Sequence, residues 1–222
     1  RARREMAAAA AATACRGALV VLEGGDRCGK TTQSARLVDA LNARGMRAEL
    51  WRFPDRTTAM GQMIDSYLRS DSELDDRAVH LLFSANRWEK LAQMREALGS
   101  GTTLVVDRYA YSGAAFTGGK GIDLGWCKAP DAGLPRPDAV LFLELGLDEA
   151  EARGGYGEER YEKRDFQEKV LAQFRALREP WWQVIDAART PDEVYADIEA
   201  AADKAIAAAK QAGGVDDMPP VW

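Results

Sequence analysis

The chain has 222 residues, 46% of them hydrophobic and 29% charged, enough to bury one large core without disulfide staples. Its net charge of -5 argues against a general nucleic-acid binder, so any anionic ligand must be held by a local concentration of arginine. Cys15, Cys28 and Cys127 have neither disulfide-framework nor zinc-ligand spacing, which points to a reducing compartment. The lone histidine, His80, cannot by itself support a Ser-His-Asp or multi-histidine metal site and reads as a packing or surface residue.

The first stretch, RARREMAAAAAATACRG, carries arginines and alanines around a weak hydrophobic run. It has the composition of a transit-peptide fragment; the plainer reading is a disordered extension over 1–16, with Met6 a natural start. A cytoplasmic location is expected, with a nuclear or organellar pool left open. No apolar run approaches the ~20 residues of a membrane span. Short apolar runs then alternate with helical patterns: 18–22, 48–53, 103–107, 139–145 and 182–186 read as strands. The first, third and fourth are nearly continuous in apolar residues, as in strands covered on both faces. Helices are expected over Lys30–Ala43, ended by Gly45, and over one long span Asp75–Leu98, ended by Gly99. A last helix begins at Thr190, with Pro191 in its first turn and Glu193 completing a capping box. Two segments, 117–138 and 151–165, break the alternation and read as functional or disordered loops. The tail 212–222 is expected to be loose. Strand and helix alternation of this kind gives a parallel sheet with helices on both faces.

The stretch GGDRCGKTT follows the first apolar run and matches G-x-x-x-x-G-K-T over Gly24 to Thr31. Glycines let the backbone curl so that successive N–H groups, including those of Cys28, Gly29 and Thr32, converge on phosphate oxygens. The helix starting near Lys30 adds its positive end, Lys30 reaches the β and γ phosphates, and the Thr31 hydroxyl suits Mg²⁺. The expected fold is therefore a three-layer P-loop NTPase with a central five-stranded parallel sheet. No [NT]-K-x-D guanine-reading tetrad occurs, which counts against a GTPase switch. Asp107, at the end of the run TLVVD, sits where a carboxylate can hold magnesium directly or through water; the plainer alternative is a helix cap. Arg108 beside it faces the same crevice.

Arginines beside aromatics are the remaining unusual feature. Phe53 and Arg56 follow the second strand, and Phe83 and Arg87 stand four apart on one helix face. An aromatic face can stack on a base and an arginine can grip a phosphate or a base carbonyl. Either pair alone is more simply a core aromatic beside a solvated arginine.

Taken together, LEGGDRCGKTTQ, RFPDR, HLLFSANRWE, VVDRYAYSGAAFTG and LPRPDAVLFLEL resemble the thymidylate kinase family in its eukaryotic form, in the family's order, over about 17–200. The resemblance implies a single domain over 17–211 that uses ATP and Mg²⁺ to phosphorylate dTMP, for dTTP synthesis, with a lid about 144–165. It implies a homodimer and no nucleic-acid or membrane partner. It implies that Asp26 contacts the acceptor sugar 3′-OH and that Arg27 stabilises the phosphoryl group in flight. Phe83 would stack on thymine and Arg87 bond its edge. Arg56 and Arg108 would hold the acceptor 5′-phosphate. Phe53, Leu68, Ser112, Gly113, Phe116 and Tyr161 would line its pocket. Arg153 would lie against adenine or phosphate, Arg189 would stand in the adenine-side loop, and Arg160, Lys163 and Arg164 are the other lid cations.

Three residues depart from the family's pattern: Cys28 where alanine is common, Arg189 where lysine is familiar, and Glu199 where an arginine can stand. A helix N-terminus lowers the pKa of a thiol, and the expectation is that alkylating Cys28 slows turnover and that ATP protects it. A kinase of UMP or dCMP is the nearest enzymatic alternative. A non-catalytic ATP-binding module is a remoter one.

Overall fold

In a computed structural model of the chain, residues 15–153 and 159–222 are described. Five parallel strands form one sheet: β1 (Leu19–Glu23), β2 (Ala48–Arg52), β3 (Thr103–Asp107), β4 (Ala139–Glu144) and β5 (Gln183–Asp186), in the order β2-β3-β1-β4-β5. Side chains alternate across a strand, and here each alternation feeds a different core. Val20, Leu22, Val105, Leu141 and Leu143 point to one face, against α1 (Lys30–Ala43) and the final helix Pro191–Ala209. Leu19, Val21, Leu104, Val106, Val140 and Phe142 point to the other. The three central strands are buried on both sides, which is why they read as continuous apolar runs. The edge strands β2 and β5 leave Leu50 and Val184 exposed.

In chain order the other helices are α2 (Ala59–Leu68), α3 (Asp76–Trp88), α4 (Leu91–Gly99), α5 (Ala110–Gly118), α6 (Leu124–Lys128), α7 (Leu147–Ala152) and α8 (Arg164–Leu177), and the final helix is α9. The capping box at Thr190 and Glu193 forms as expected. The single helix expected over Asp75–Leu98 is two, α3 and α4. The chain breaks at Glu89 and Lys90, where Glu89 is drawn to Thr58 and Asn86, and Lys90 to Asp55. That pull is tertiary, so the apolar spacing runs through it unaltered. Gly99 lies inside α4, and Gly101, at φ 83°, makes the turn beyond it. The loop expected over 117–138 carries α6 and a single 3₁₀ turn, Ala129–Asp131.

Both ends depart from expectation. Arg16, assigned to the extension, is buried and makes a two-pronged ion pair with Asp138, both contacts at 2.7 Å; residues 1–14 of that extension lie outside the described residues. The tail is docked, because Pro220 bridges Pro135, Val221 is buried, and Trp222 meets the Tyr111 ring edge-on at 5.0 Å. Composition suggested a loose end; aromatic packing decided otherwise.

Candidate active site

Parallel strands deliver their carboxyl ends to one edge of the sheet, and ligands gather in the crevice beyond that edge. A cleft of about 930 Å³ opens there. Residues of the glycine-rich turn from Asp26 to Thr32 line it together with Phe53, Arg56, Leu68, Phe83, Arg87, Ser112, Gly113, Phe116 and Tyr161. Arg153, Arg189 and Val194 line it too. Of the phosphate-turn and acceptor-pocket residues expected from sequence, Gly24 alone does not line the cleft; its carbonyl accepts from Arg108 Nη1 at 3.2 Å. Gly24 is fixed by geometry: φ is 145°, and a Cβ would lie 2.5 Å from the Leu143 carbonyl oxygen.

The turn ends at Gly29, and α1 starts at Lys30. Lys30 is buried, its Nζ donating to the Gly25 carbonyl at 2.5 Å and to Cys28 Sγ at 3.3 Å. Cys28 lines the cleft but is only 2% exposed, its Sγ lying against the Lys30 ammonium. Thr31 Oγ1 donates to Asp107 Oδ2 at 2.7 Å. Arg52, level with Asp107 in the β2–β3 register, donates to the same Thr31 oxygen at 2.6 Å and pairs with Asp107 at 3.2 Å.

Eight cationic side chains and four carboxylates line the cleft, an excess of positive charge in a chain of net charge -5. Walls of one sign with low-dielectric backing focus the field on anions. Each carboxylate contacts one arginine: Asp26 with Arg108, Asp107 with Arg52, Glu159 with Arg56 at 2.8 Å, and Glu162 with Arg27 at 3.1 Å. Asp26 also accepts from Gln167 Nε2 at 2.6 Å, which ties the turn to α8. Arg27 and Arg108 both adopt left-handed backbone, at φ 63° and 69°. Non-glycine residues in that region are uncommon and cluster at functional sites.

Behind Arg108 lies Glu23, fully buried at the end of β1. Burial pushes its carboxyl above the usual range, against the lowering pull of the Ser112 hydroxyl, the Arg108 charge and the Tyr109 and Ser112 amides. Ser112 Oγ donates to it at 2.5 Å and also accepts from Arg108 Nη1 at 3.2 Å. Arg108 is thus aimed from behind while its guanidinium faces Phe116, 5.3 Å from the ring centre.

Arg87 is held by Asp131 through Nε at 3.0 Å and Nη2 at 2.5 Å. Phe53 is buried against Tyr109, ring centres 6.0 Å apart. Tyr161 packs among Phe116, Phe166 and Tyr67, and burial raises its phenol well above the usual range, so it is a neutral donor. His80 is the packing residue expected from sequence, bonded to Thr117 and to the Cys127 carbonyl.

The lid expected over 144–165 includes residues 154–158, which lie outside the described residues. Of its other cations, Arg153 reaches over the turn, Nη1 donating to the Arg27 carbonyl at 3.1 Å and Nη2 to that of Ala187 at 2.6 Å. Arg160, Lys163 and Arg164 do not line the cleft. Arg160 turns to Glu73 and the Tyr67 carbonyl, and Arg164 to Asp148 and Glu151. Arg189 is on the cleft and paired with Asp197; Glu199 instead bonds Tyr195. Sequence reasoning missed Arg52, Glu23, Asp131, Gln167, Glu159 and Glu162. The position of Arg52 at a strand's carboxyl end was a usable signal. Asp131 and Gln167 had none.

A triphosphate-type cradle shares one cationic cleft with an aromatic and an arginine, an arrangement suited to passing a phosphoryl group between two nucleotides. The class is that of P-loop nucleoside monophosphate kinases. The family model for thymidylate kinase matches residues 22–198. Human thymidylate kinase is 52% identical over 200 residues, covering 88% of this chain and 94% of that protein. The Arabidopsis thaliana thymidylate kinase is 55% identical over 184 residues, covering 83% and 70%. A solved structure of the Candida albicans thymidylate kinase covers 85% of this chain and 92% of its own, with TM-score 0.79 and 38% identity. The chain belongs to the thymidylate kinase family.

Proposed function

We propose that this protein transfers the γ-phosphoryl of ATP to dTMP, giving ADP and dTDP for dTTP synthesis. The observation that carries the reading is that Arg27, in the phosphate cradle, shares one cleft with Phe83 and Arg87. Membership of the thymidylate kinase family supports the same substrates.

In this reading the turn amides and Lys30 hold the triphosphate of ATP, and Arg153 and Arg189 border its base. Phe83 stacks on thymine, Arg87 donates to its edge, and Arg56 and Arg108 grip the 5′-phosphate as it exchanges with their carboxylate partners. Asp26 takes the sugar hydroxyl. Phosphoryl transfer needs little covalent help, so the chain's work is alignment and positive charge, which Arg27 supplies at the transferring oxygens. The Thr31 hydroxyl and Asp107 carboxylate are paired hard-oxygen donors, a set that fits Mg²⁺, which takes one or two protein oxygens besides substrate phosphates. Bound there, Mg²⁺ would neutralise charge on the triphosphate.

The same reading carries a single domain over 17–211 and a homodimer, supported by exposed apolar side chains of Met60 and Met63 on α2 and Leu81 and Trp88 on α3. Among the described residues no helix is long and apolar enough to cross a membrane. The free state of all three cysteines supports a reducing compartment such as the cytoplasm. The test is ADP release with a panel of nucleoside monophosphates. Fastest turnover is expected with dTMP; faster turnover of UMP or dCMP would overturn the substrate assignment.

A further inference from the structure

Arg87 lines the cleft although it is only 2% exposed, and Asp131, its partner, is fully buried. The carboxylate takes Nε and Nη2 of the guanidinium and leaves Nη1 as the nitrogen it does not bond. Behind the guanidinium stands Gly113, where a Cβ would lie 2.7 Å from Nη2. The group is wedged flat between a carboxylate and a bare backbone.

Asp131 is itself fastened. It ends the 3₁₀ turn Ala129–Asp131, and one face of α3 docks on that turn at three positions. Ser84 Oγ lies 2.8 Å from Asp131 Oδ1 and 3.0 Å from the Pro130 carbonyl, and Trp88 Nε1 donates to that carbonyl at 2.7 Å. Ser84, Arg87 and Trp88 are spaced to share one side of the helix. A buried ion pair is weak evidence for stability, because desolvation of both charges offsets their attraction. Its best-attested use is to fix one arrangement against others.

We propose that Asp131 sets base selectivity in the acceptor pocket, as a positioning residue that locks Arg87 so that a hydrogen-bond donor faces the base. The inference rests on the dTMP reading above. A guanidinium donates and never accepts. Thymine offers carbonyl oxygens on its pairing edge, whereas cytosine presents an amino group, a second donor, in place of one of them. A site built to bond one edge rejects the mismatched analogue by up to ~10⁴-fold, provided the donor cannot swing aside. Asp131 removes that freedom.

The test compares kcat/KM for dTMP and dCMP in the full chain and in Asp131→Asn and Ser84→Ala, with folded fraction followed by circular dichroism. For Asp131→Asn the dTMP value should fall ~10- to 100-fold, carried by KM, the size of effect that an ångström of misplacement produces. The dCMP value and the KM for ATP should stay within about threefold, so the dTMP:dCMP ratio collapses. Ser84→Ala keeps both charges and removes one anchor of Asp131, so the ratio should drop by roughly threefold. A structural role alone would lower Tm and leave the ratio untouched. An unchanged ratio in folded Asp131→Asn overturns the inference; if that variant does not fold, an unchanged ratio in Ser84→Ala does so. A parent enzyme with no preference for dTMP over dCMP would instead sink the dTMP reading and this inference with it.

Discussion

The Thr31 hydroxyl donates to the Asp107 carboxylate across 2.7 Å, joining the first turn of α1 to the end of β3. The two residues are 76 apart in sequence, and only the parallel pairing of β1 with β3 brings them together. Asp107→Asn keeps the shape and removes the charge. It should lower kcat by ~10²-fold or more at saturating substrates, as loss of a charge acting on the transferring group does. Steady-state kinetics with Mg²⁺ titrated would check this; a variant with parental kcat would separate Asp107 from the chemistry.

Arg27→Ala should lower kcat by ~10²-fold or more while KM for dTMP changes little, because the charge acts on the group in flight and not on the bound acceptor. Its contact with Glu162, at 3.1 Å, is exchangeable for a phosphate. A rise in KM with kcat intact would reassign Arg27 to ground-state binding.

Cysteine labelling offers a check on burial. Cys15 is exposed, whereas Cys28 and Cys127 are buried, and burial pushes the Cys127 thiol up to about 11. One thiol should react quickly with iodoacetamide in the native chain and three after denaturation. Rapid native labelling of Cys28, read by peptide mass mapping, would contradict its burial.

His80 gives the pH dependence a single assignable group, since the chain has no other histidine. Its Nε2 meets the Cys127 carbonyl at 2.9 Å, an acceptor only, so Nε2 carries the proton and Nδ1 accepts from the Thr117 hydroxyl. Burial, with a smaller push from the Arg87 charge, lowers its pKa below 6.5. Below pH 6.5 the unfolded chain therefore binds the proton more readily, and stability falls as pH falls, by at most about 1.4 kcal/mol per unit. Glu23 works the other way: its raised pKa means the fold gains relative stability as pH drops toward its ordinary range. Urea denaturation from pH 7 to 5 should show the parent losing more stability than His80→Gln. A pH-independent difference between the two proteins would refute this assignment.

Removing Val221 and Trp222 should lower Tm by several degrees, a loss of roughly 2–4 kcal/mol of packing. Val221 is buried and its amide donates to the Leu134 carbonyl at 2.8 Å. The turnover number at 25 °C should remain near parental, because neither residue lines the cleft. Equal Tm by calorimetry would mean the tail is not docked in solution.

Much of this architecture was written locally. Apolar strands covered on both faces, the capping box at Thr190 and the glycine spacing from Gly24 to Lys30 each depend on neighbours within a few residues, so period and motif suffice to find them. The aromatic–arginine pairs at Phe53–Arg56 and Phe83–Arg87 were legible as types, and the family resemblance gave them expected partners. What stayed hidden lies in long-range pairing. Glu89 and Lys90 break a helix because Thr58 and Asp55 pull on them, the tail docks because Tyr111 offers a ring, and Asp131 meets Arg87 across 44 residues. Sequence fixes which groups can ionise, stack or cradle an anion, because that chemistry belongs to each side chain and its nearest neighbours. Which charge sits against which is settled only by the folded chain, because burial and distance set the strength of an ion pair and neither exists before the sheet and helices assemble.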